Sequence, residues 1–288
     1  MSRSVFGLVR DSADARDRPF HLAAMVDHVE GSVDISSETP PADYQGSVGS
    51  CTCQATTALV EHLYPGVQLS VLHLYWEARR LGGFDTSVDT GSQIRDAMKV
   101  CQKVGAIPDE VWPYVEENFD DPPPDYAGDR YLIANYSRIN SVDEGLRCLT
   151  LRHPFVFSID LPDYFDQTAG QAGVLPKPEG RVDYIGHHAM LAVGHDTNFR
   201  SNPDYLRAVS MGLSADSFDD VAFLVRNSWG PWWGLGDPRH QGHFWMPETW
   251  LANKSLSGDC WTGFKLFTTA DAPEGPTVAG VPIQGRNV

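Results

Sequence analysis

The sequence is poor in cysteine and in basic residues. Its five cysteines stand at positions 51, 53, 101, 148 and 260, and no two of them form a C-x-x-C pair. Few cysteines in an odd number are typical of free thiols in a reducing compartment, not of a disulfide-rich secreted domain. Lys and Arg number 22 against 38 Asp and Glu, a formal net charge of −16. We therefore expect no nucleic-acid partner and no anionic membrane surface as partner.

Long apolar runs are also missing. The first 20 residues contain no hydrophobic core of signal-peptide length, and no later stretch approaches the length of a membrane span. We therefore expect a cytoplasmic protein. Hydrophobic residues at 42% and aromatic residues at 11% still suffice for a packed core in 288 residues. That length fits one large domain or two closely packed lobes.

Helical and strand-like patterns are segregated along the chain. Apolar residues at three- and four-residue spacing predict helices over 54–62 and 71–79, the second capped by Ser70, and a third between Ser92 and Gly105. Runs rich in β-branched and aromatic residues then predict strands at 131–136, 155–159, 188–193 and 222–226. A helical half followed by a strand-rich half is typical of an α+β protein with a cleft between the halves.

Two terminal segments differ from the body of the chain. Residues 1–31 are charged and broken by Arg, Asp and Pro, and they predict an arm that packs on the body or a short pro-like segment. Residues 271–288 predict a flexible tail. The body would be one domain, 32–270, whose helical lobe covers about 51–125 and whose strand-rich lobe covers about 126–270 plus 32–50.

One stretch, Gln45 to Cys53, places a cysteine where a glycine-rich turn leads into a helix. At a helix start, unpaired N–H groups and the positive end of the dipole favour the thiolate of Cys51. Gln45 carries an amide that could donate to a developing oxyanion. A lone cysteine in this setting is also consistent with a structural thiol in the core, so the decision depends on distant residues.

Two later stretches supply the other groups that a thiol hydrolase needs. GHHAMLAVG, at 186–194, contains His188 at the start of an apolar run, and RNSWGPWWG, at 226–234, contains Asn227 at the end of one. An imidazole can take the thiol proton, and an amide oxygen on its other nitrogen fixes the tautomer. Trp229 could cover that contact and exclude water. His187 is expected to face away, because neighbouring strand residues point to opposite sides.

The blocks QGSVGSC, GHHAMLAVG and RNSWGPWWG, in that order, resemble those of the papain-like cysteine peptidases. The resemblance covers roughly residues 32–268 and implies the two-lobe papain-like α+β fold. It implies Cys51 as nucleophile, His188 as general base and then acid, and Asn227 as the orienting residue. Gln45 and the Cys51 N–H would form the oxyanion hole. No cofactor is expected, and the substrate would be a peptide or protein.

The same resemblance implies a substrate-binding role for Gly91, Ser92 and Trp229. Gly91-Ser92 falls where the family holds the substrate backbone as an added strand, although Ser92 replaces one residue of the usual Gly-Gly pair. Trp229 would also shield the His–Asn contact.

Three positions near the cysteine depart from the family pattern. Val48 stands where secreted members have a disulfide cysteine, which agrees with a reducing location. Thr52 replaces the usual tryptophan and is expected to loosen the packing behind the thiolate. Cys53 is expected to be a core thiol and not a redox partner of Cys51.

Alternative functions remain at this stage. The favoured hypothesis is a cysteine peptidase that works through an acyl-enzyme. The second is a papain-fold binding protein, a component of a larger assembly, with little or blocked activity. A third is acyl transfer to an amine. A metal site at His195, His240, His243 and Cys260 has no supporting ligand spacing, so no metal is expected.

The arm is expected to regulate access to the site. Its apolar patch at 21–26, together with the lack of a long pro-segment, predicts that it lies in the cleft. Removing residues 1–31 should then raise activity.

Overall fold

The computed structural model describes residues 7–180 and 182–265, which form six α-helices and seven strands in the described part. The helices are α1 (Cys51–Leu63), α2 (Val71–Gly82), α3 (Ile94–Lys103), α4 (Val142–Thr150), α5 (Pro203–Ser210) and α6 (Glu248–Ala252). The strands are β1 (Ser32–Asp34), β2 (Asn135–Arg138), β3 (Phe155–Pro162), β4 (Tyr184–Asp196), β5 (Ala222–Arg226), β6 (His243–Pro247) and β7 (Ser257–Phe264). The α+β class is confirmed.

The helices α1, α2 and α3 pack on one another, and α1 lies against β4. Ser70 caps α2 by accepting from His73 N at 3.1 Å, and Gly83 ends it in the left-handed conformation at φ 76°. In α3 the buried residues Ile94, Ala97, Met98 and Cys101 follow the three- and four-residue spacing of one helix face. This packing sets the N-terminus of α1 against the sheet.

One strand, β4, is the centre of the sheet. The sheet order is β2-β7-β3-β4-β5-β6, with β1 also paired to β4, and every pair of strands is antiparallel. Residues 189–195 of β4 are buried without interruption because neighbouring strands and helices cover both faces. His188 pairs with Ile159 in this strand. Its backbone is therefore held on a rigid element.

The structure corrects several sequence predictions. The strand expected at 131–136 begins only at Asn135, and Tyr131 makes an isolated bridge to Ala106 instead. Strand β4 begins at Tyr184, not at His188, because its first residues already pair with β3. Helices α5 and α6 and strands β6 and β7 were not predicted from the sequence.

The arm packs on the body, but the apolar patch is not the part that approaches the cysteine. Residues His21–Met25 form a 3₁₀ turn beside α4, and Met25 is 73% exposed. The segment near the cysteine is Gly7–Val9. The expectation that the patch lies in the cleft is therefore wrong. The limits of arm, domain and tail stay predictions, and the tail at 271–288 lies outside the described residues.

Candidate active site

Cys51 is the first residue of α1 and is fully buried. The preceding residue Ser50 does not cap the helix with its side chain, because its hydroxyl is 2.8 Å from the hydroxyl of Tyr114. Cys53 N and Gln54 N both donate to Ser50 O at 2.9 Å, whereas the Thr52 N–H lies within hydrogen-bonding reach of the Cys51 sulfur. The turn thus provides hydrogen-bond donors beside the thiol.

His188 and Cys51 are brought together where β4 meets the start of α1. The backbone N–H of Ala189, the residue after His188, lies within hydrogen-bonding reach of the Cys51 sulfur. The alternation expected on a strand is confirmed, since the His187 side chain is 47% exposed and contacts Asp160 whereas His188 is fully buried. The inward histidine is therefore the one on the cysteine side.

Asn227 holds the ring of His188 in one tautomer. Asn227 Oδ1 is 2.8 Å from His188 Nε2 and accepts from Ser228 N, also at 2.8 Å. An amide oxygen only accepts, so the proton of the neutral imidazole is on Nε2. The basic nitrogen of the neutral ring is then Nδ1.

Trp229 covers the His188–Asn227 contact. The indole ring centroid is 5.2 Å from that of His188, with the planes tilted by 38°. Phe165 and Trp233 pack edge-on against the same indole, each with centroids 5.4 Å away. This aromatic cluster lowers the local dielectric around the histidine and excludes water.

Gln45 is fully buried, and its amide orientation is fixed by a residue that the sequence did not single out. The hydroxyl of Ser228 donates to Gln45 Oε1 at 2.5 Å, and Gln45 Nε2 donates to Val48 O at 3.0 Å. The Gln45 N–H also donates to Ser228 O at 2.9 Å. The Asn-Ser order in RNSWG was the available signal, because it puts a hydroxyl next to the orienting amide.

Gly91-Ser92 lies beside the cysteine, and the chain's own arm pairs with it. Val9 N donates to Ser92 O at 3.0 Å, and Ser92 N donates to Gly7 O at 2.8 Å. Leu8 and Ser92 form a parallel bridge. The backbone groups of Ser92 can therefore hold an extended peptide segment.

Gly7 approaches the turn before the cysteine so closely that only a glycine fits. A Cβ added to Gly7 would lie 1.6 Å from Gly49 O. The Gly7 N–H is within hydrogen-bonding reach of the Cys51 sulfur. The arm thus covers the thiol directly.

The turn and the Ser92 segment are tied together by buried polar contacts. Gly49 N donates to the Asp89 carboxylate at 2.9 Å, Tyr75 OH donates to the same carboxylate, and Gly91 N donates to Tyr75 OH at 3.0 Å. Thr52 is fully buried and donates to Ser92 O at 3.2 Å. The expectation that Thr52 loosens this region is wrong, because its hydroxyl joins the two segments.

Burial governs the protonation of the cysteine and histidine while the arm is in place. It raises the pKa of the Cys51 thiol, although N–H groups around the sulfur oppose the rise. It lowers the pKa of His188 to about 4, partly offset by the Asn227 hydrogen bond. Both groups are therefore neutral at pH 7, contrary to the thiolate expected from the helix start, because burial removes the water that would stabilise their charges.

The remaining cysteines and histidines form no second centre among the described residues. All five cysteines are free and buried. Cys53 lies 3.6 Å from the Ser92 hydroxyl, within the core, as expected. No group of three or more His, Cys, Asp or Glu residues at 7–180 and 182–265 could hold a metal ion. No helix within those ranges is long and apolar enough to cross a membrane.

Comparison with known proteins supports the family expected from the sequence. No family model matches the chain. A curated relative, an uncharacterized peptidase C1-like protein of Acanthamoeba polyphaga mimivirus, is 28% identical over 236 residues, which are 75% of this chain and 67% of the relative. Xylellain, a cysteine protease from Xylella fastidiosa, is similar with a TM-score of 0.76 and 27% identity over 92% of this chain and 98% of its own. The chain is thus similar to papain-like cysteine peptidases in both sequence and structure.

The fold of this peptidase is shared more widely. Procathepsin L2 from the larval midgut of Tenebrio molitor matches it with a TM-score of 0.67 and 18% identity, over 91% of this chain and 78% of that one. At that identity the likeness concerns the fold alone. The papain-like α+β fold is thereby confirmed, and a peptidase of this fold acts on peptides or proteins.

Proposed function

We propose that the protein hydrolyses peptide bonds through Cys51, His188 and Asn227, with an acyl-enzyme intermediate and no cofactor. The observation that carries the proposal is the buried 2.8 Å contact between His188 Nε2 and Asn227 Oδ1, on the strand whose Ala189 N–H reaches the Cys51 sulfur. That contact places the proton of the neutral ring on Nε2, which supports Nδ1 as the proposed base. A structural histidine would have no need of this arrangement beside a thiol.

In the first half-reaction, His188 Nδ1 takes the thiol proton and the Cys51 sulfur attacks the scissile carbonyl carbon. The tetrahedral intermediate then collapses, its carbon–nitrogen bond breaks, and the imidazolium gives its proton to the leaving amine. A thioester remains on Cys51. In the second half-reaction, water loses a proton to Nδ1 and attacks the thioester, which releases the acid and restores the thiol.

The oxyanion would be stabilised by the Cys51 N–H and the Gln45 amide. Ser228 holds Gln45 Oε1, which keeps the oxygen of the amide on the Ser228 side. The amide nitrogen, which donates one hydrogen to Val48 O, is then the donor end of the side chain. Donors fixed in advance cost no reorganisation when negative charge develops.

With the arm in this position the proposed enzyme is inactive, because the arm occupies the substrate site. Gly7–Val9 occupies the backbone groups of Ser92 that an extended substrate would use, and it covers the thiol. The arm runs parallel to the Ser92 segment. We expect substrate to bind only after this segment moves.

The test is hydrolysis of a mixed set of internally quenched peptides by the wild-type chain and by Cys51→Ala. Activity in the wild type, its loss in the variant, and an acid-trapped acyl adduct whose mass maps to Cys51 would support the proposal. Because the arm could silence the full chain, Gly7→Ala is measured in parallel. Equal activity with and without Cys51, or no adduct and no turnover even in Gly7→Ala, would refute it.

A second candidate is a papain-fold binding component whose thiol is not used. The fully buried Cys51 under the arm favours it. Alkylation by iodoacetamide separates the two. Modification of Cys51 faster than of the other four cysteines, once the arm is displaced, favours the enzyme. Adding a primary amine during turnover and analysing the products distinguishes hydrolysis from acyl transfer to amines.

A further inference from the structure

Two aromatic side chains near the proposed site are exposed to solvent and contact each other. Trp232 is 73% exposed and Tyr44 is 50% exposed. Their ring centroids are 5.1 Å apart, with the planes tilted by 53°. Single exposed apolar residues are common on protein surfaces, but adjoining exposed rings are typical of a binding surface. This aromatic pair has no part in the proposed proton transfers.

The backbone holds the aromatic pair in position. A Cβ added to Gly230 would lie 2.5 Å from Trp232 Cζ2, so the indole rests against the Gly230 backbone. Gly230 N donates to Asp43 O at 2.8 Å, which fixes the residue before Tyr44. Both rings are therefore held in place although much of their surface is exposed. Rigid aromatic rings lose little conformational freedom when a ligand binds.

The aromatic pair adjoins the tryptophan that covers the proposed base. Tyr44 and Trp229 form an isolated antiparallel bridge. Trp232 lies in the turn that follows Trp229. The indole of Trp229 lies in turn against the ring of His188, with the centroids 5.2 Å apart. The aromatic pair is therefore on the His188 side of the proposed site.

The chemistry of the proposed reaction places the leaving amine on this same side. His188 gives its proton to the amine as the carbon–nitrogen bond breaks, so the amine must lie within hydrogen-bonding distance of that ring. The acyl part of the substrate stays on Cys51, and the backbone of Ser92 is expected to hold it. The residues that follow the scissile bond are thus the part of the substrate closest to the aromatic pair.

We propose that Tyr44 and Trp232 form a subsite for an aromatic or bulky apolar side chain on the leaving side of the scissile bond. The inference rests on the proposed peptidase activity and specifies which substrates that site prefers. Exposed rings at contact distance favour a further ring over a polar side chain. Charge does not select the ligand, because the adjacent carboxylate, Asp43, is paired with Arg226 at 2.8 Å.

The experiment uses internally quenched peptides that share one acyl half and differ only after the scissile bond. In the parent peptide the three residues after that bond are glycine, and in the others one of the three is phenylalanine or arginine. Product masses identify the bond that is cleaved. In the Gly7→Ala background, phenylalanine at one of these positions should raise kcat/KM about tenfold over glycine, mainly through KM.

The ratio of kcat/KM for phenylalanine over glycine is then compared among variants. Trp232→Ser should reduce it to about twofold or less, because the larger ring is lost. Tyr44→Ser should reduce it in part, whereas Tyr44→Phe keeps the ring and should retain it. The matched control is Leu206→Ser, because Leu206 is 57% exposed on α5, and its loss should leave the ratio unchanged. Melting temperatures establish that each variant is folded.

Binding of the leaving half is measured without turnover. Tripeptide amides with one phenylalanine and two glycines, in all three orders, are titrated into protein that carries Gly7→Ala and Cys51→Ala. The Trp232 indole N–H signal, assigned by its loss in Trp232→Ser, is followed by NMR. At least one of these peptides should shift it saturably, and triglycine amide should not.

The outcomes separate this inference from the proposed hydrolysis. No cleavage of any peptide would refute the hydrolysis, and a saturable Trp232 shift would still support the subsite. Cleavage without a preference for phenylalanine, a preference for arginine, or no shift with any tripeptide would overturn the subsite. Equal loss of preference in Leu206→Ser would do the same. A wild-type dimer that dissociates in Trp232→Ser would instead assign the aromatic pair to an interface between two copies of the chain.

Discussion

Leu8 of the arm lies beside Ser92 in a parallel bridge, flanked by hydrogen bonds of 2.8 Å and 3.0 Å between the two backbones. Leu8 is also 93% buried, since only 7% of its surface is exposed. The arm is thus held by both backbone pairing and apolar contact. Two of the predictions below follow from what holds it and what would release it.

A methyl group at Gly7 should displace the arm. In Gly7→Ala the new Cβ would lie 1.6 Å from Gly49 O, a clash with backbone that cannot be relieved by a side-chain movement. We expect Cys51 to be alkylated by iodoacetamide at least tenfold faster than in the wild type. The rate is measured by mass spectrometry of the peptide that contains Cys51.

Gly31→Ala is the matched control for that substitution. The only atom its Cβ would meet within 4 Å is Thr197 Oγ1, at 3.9 Å. It adds the same methyl group to the arm without a clash and should leave the rate unchanged. If Gly7→Ala is also alkylated at the wild-type rate, the arm does not protect the thiol.

The arm should bind less tightly as the pH rises. Burial, then the charge of Asp259, raises the pKa of Asp11 to about 7, and Trp261 Nε1 donates to Asp11 at 2.8 Å. A carboxyl whose pKa is higher in the docked arm than in the released arm binds its proton more tightly when the arm is docked. It therefore stabilises the docked arm fully at pH values below its ordinary pKa near 4. This contribution is lost as the pH rises to about 7. Arg95 opposes the rise but does not reverse it.

Hydrogen exchange of the Val9 amide, measured between pH 5 and pH 8, tests this dependence. After correction for the intrinsic pH effect, protection should fall with rising pH in the wild type. In Asp11→Asn the side chain stays neutral, so the protection should vary less across the same range. Protection that rises with pH in the wild type would contradict the assignment.

Ser228 should matter for the rate because of its contact with Gln45. Removing an oxyanion donor costs about 10²–10³ in kcat, so we expect that loss in Gln45→Ala. Ser228→Ala keeps the donor but frees the amide to rotate, so its kcat should fall by a smaller factor, of roughly threefold to tenfold by the value of one hydrogen bond. KM should change little.

The measurement compares kcat and KM for one peptide substrate in both variants, in the Gly7→Ala background. Ser37→Ala, on an exposed turn, provides the control for loss of a hydroxyl. A Ser228→Ala enzyme with wild-type kcat would show that Gln45 is held sufficiently by Val48. A loss equal to that of Gln45→Ala would mean that Ser228 acts on more than the amide orientation.

The sequence indicated the proposed catalytic residues, whereas it did not indicate several of the elements around them. Cys51, His188 and Asn227 each lie in a short block of distinctive residue order. These blocks can be recognised even though they are far apart in the sequence. Strand β7 could not be read in the same way, because Ser257–Phe264 contains Gly, Asp and Thr and becomes a strand only through pairing with β2 and β3. Its formation is a tertiary effect.

The arm shows the same limit. Its apolar patch was the visible feature, yet the contact with the cysteine is made by Gly7, whose value is its lack of a side chain. Close approach of two backbones leaves no periodicity in a sequence. Asp11 is likewise an ordinary charged residue until Asp259 and Trp261 are placed beside it by the fold.

Gly194 should be the residue on which the junction of β1 and β4 depends. A Cβ at this position would lie 2.5 Å from Val33 O, within the backbone pairing of the two strands. We expect Gly194→Ala to lower the free energy of unfolding by about 1–3 kcal/mol, the usual cost of overpacking. The matched variant is Gly258→Ala in β7, where the nearest atom to the Cβ is Ser158 Oγ at 4.0 Å. Urea unfolding followed by tryptophan fluorescence compares the two. Equal stability of both variants would mean that β1 can shift away from β4 at no cost, and that its pairing does not help to hold the strand that carries His188.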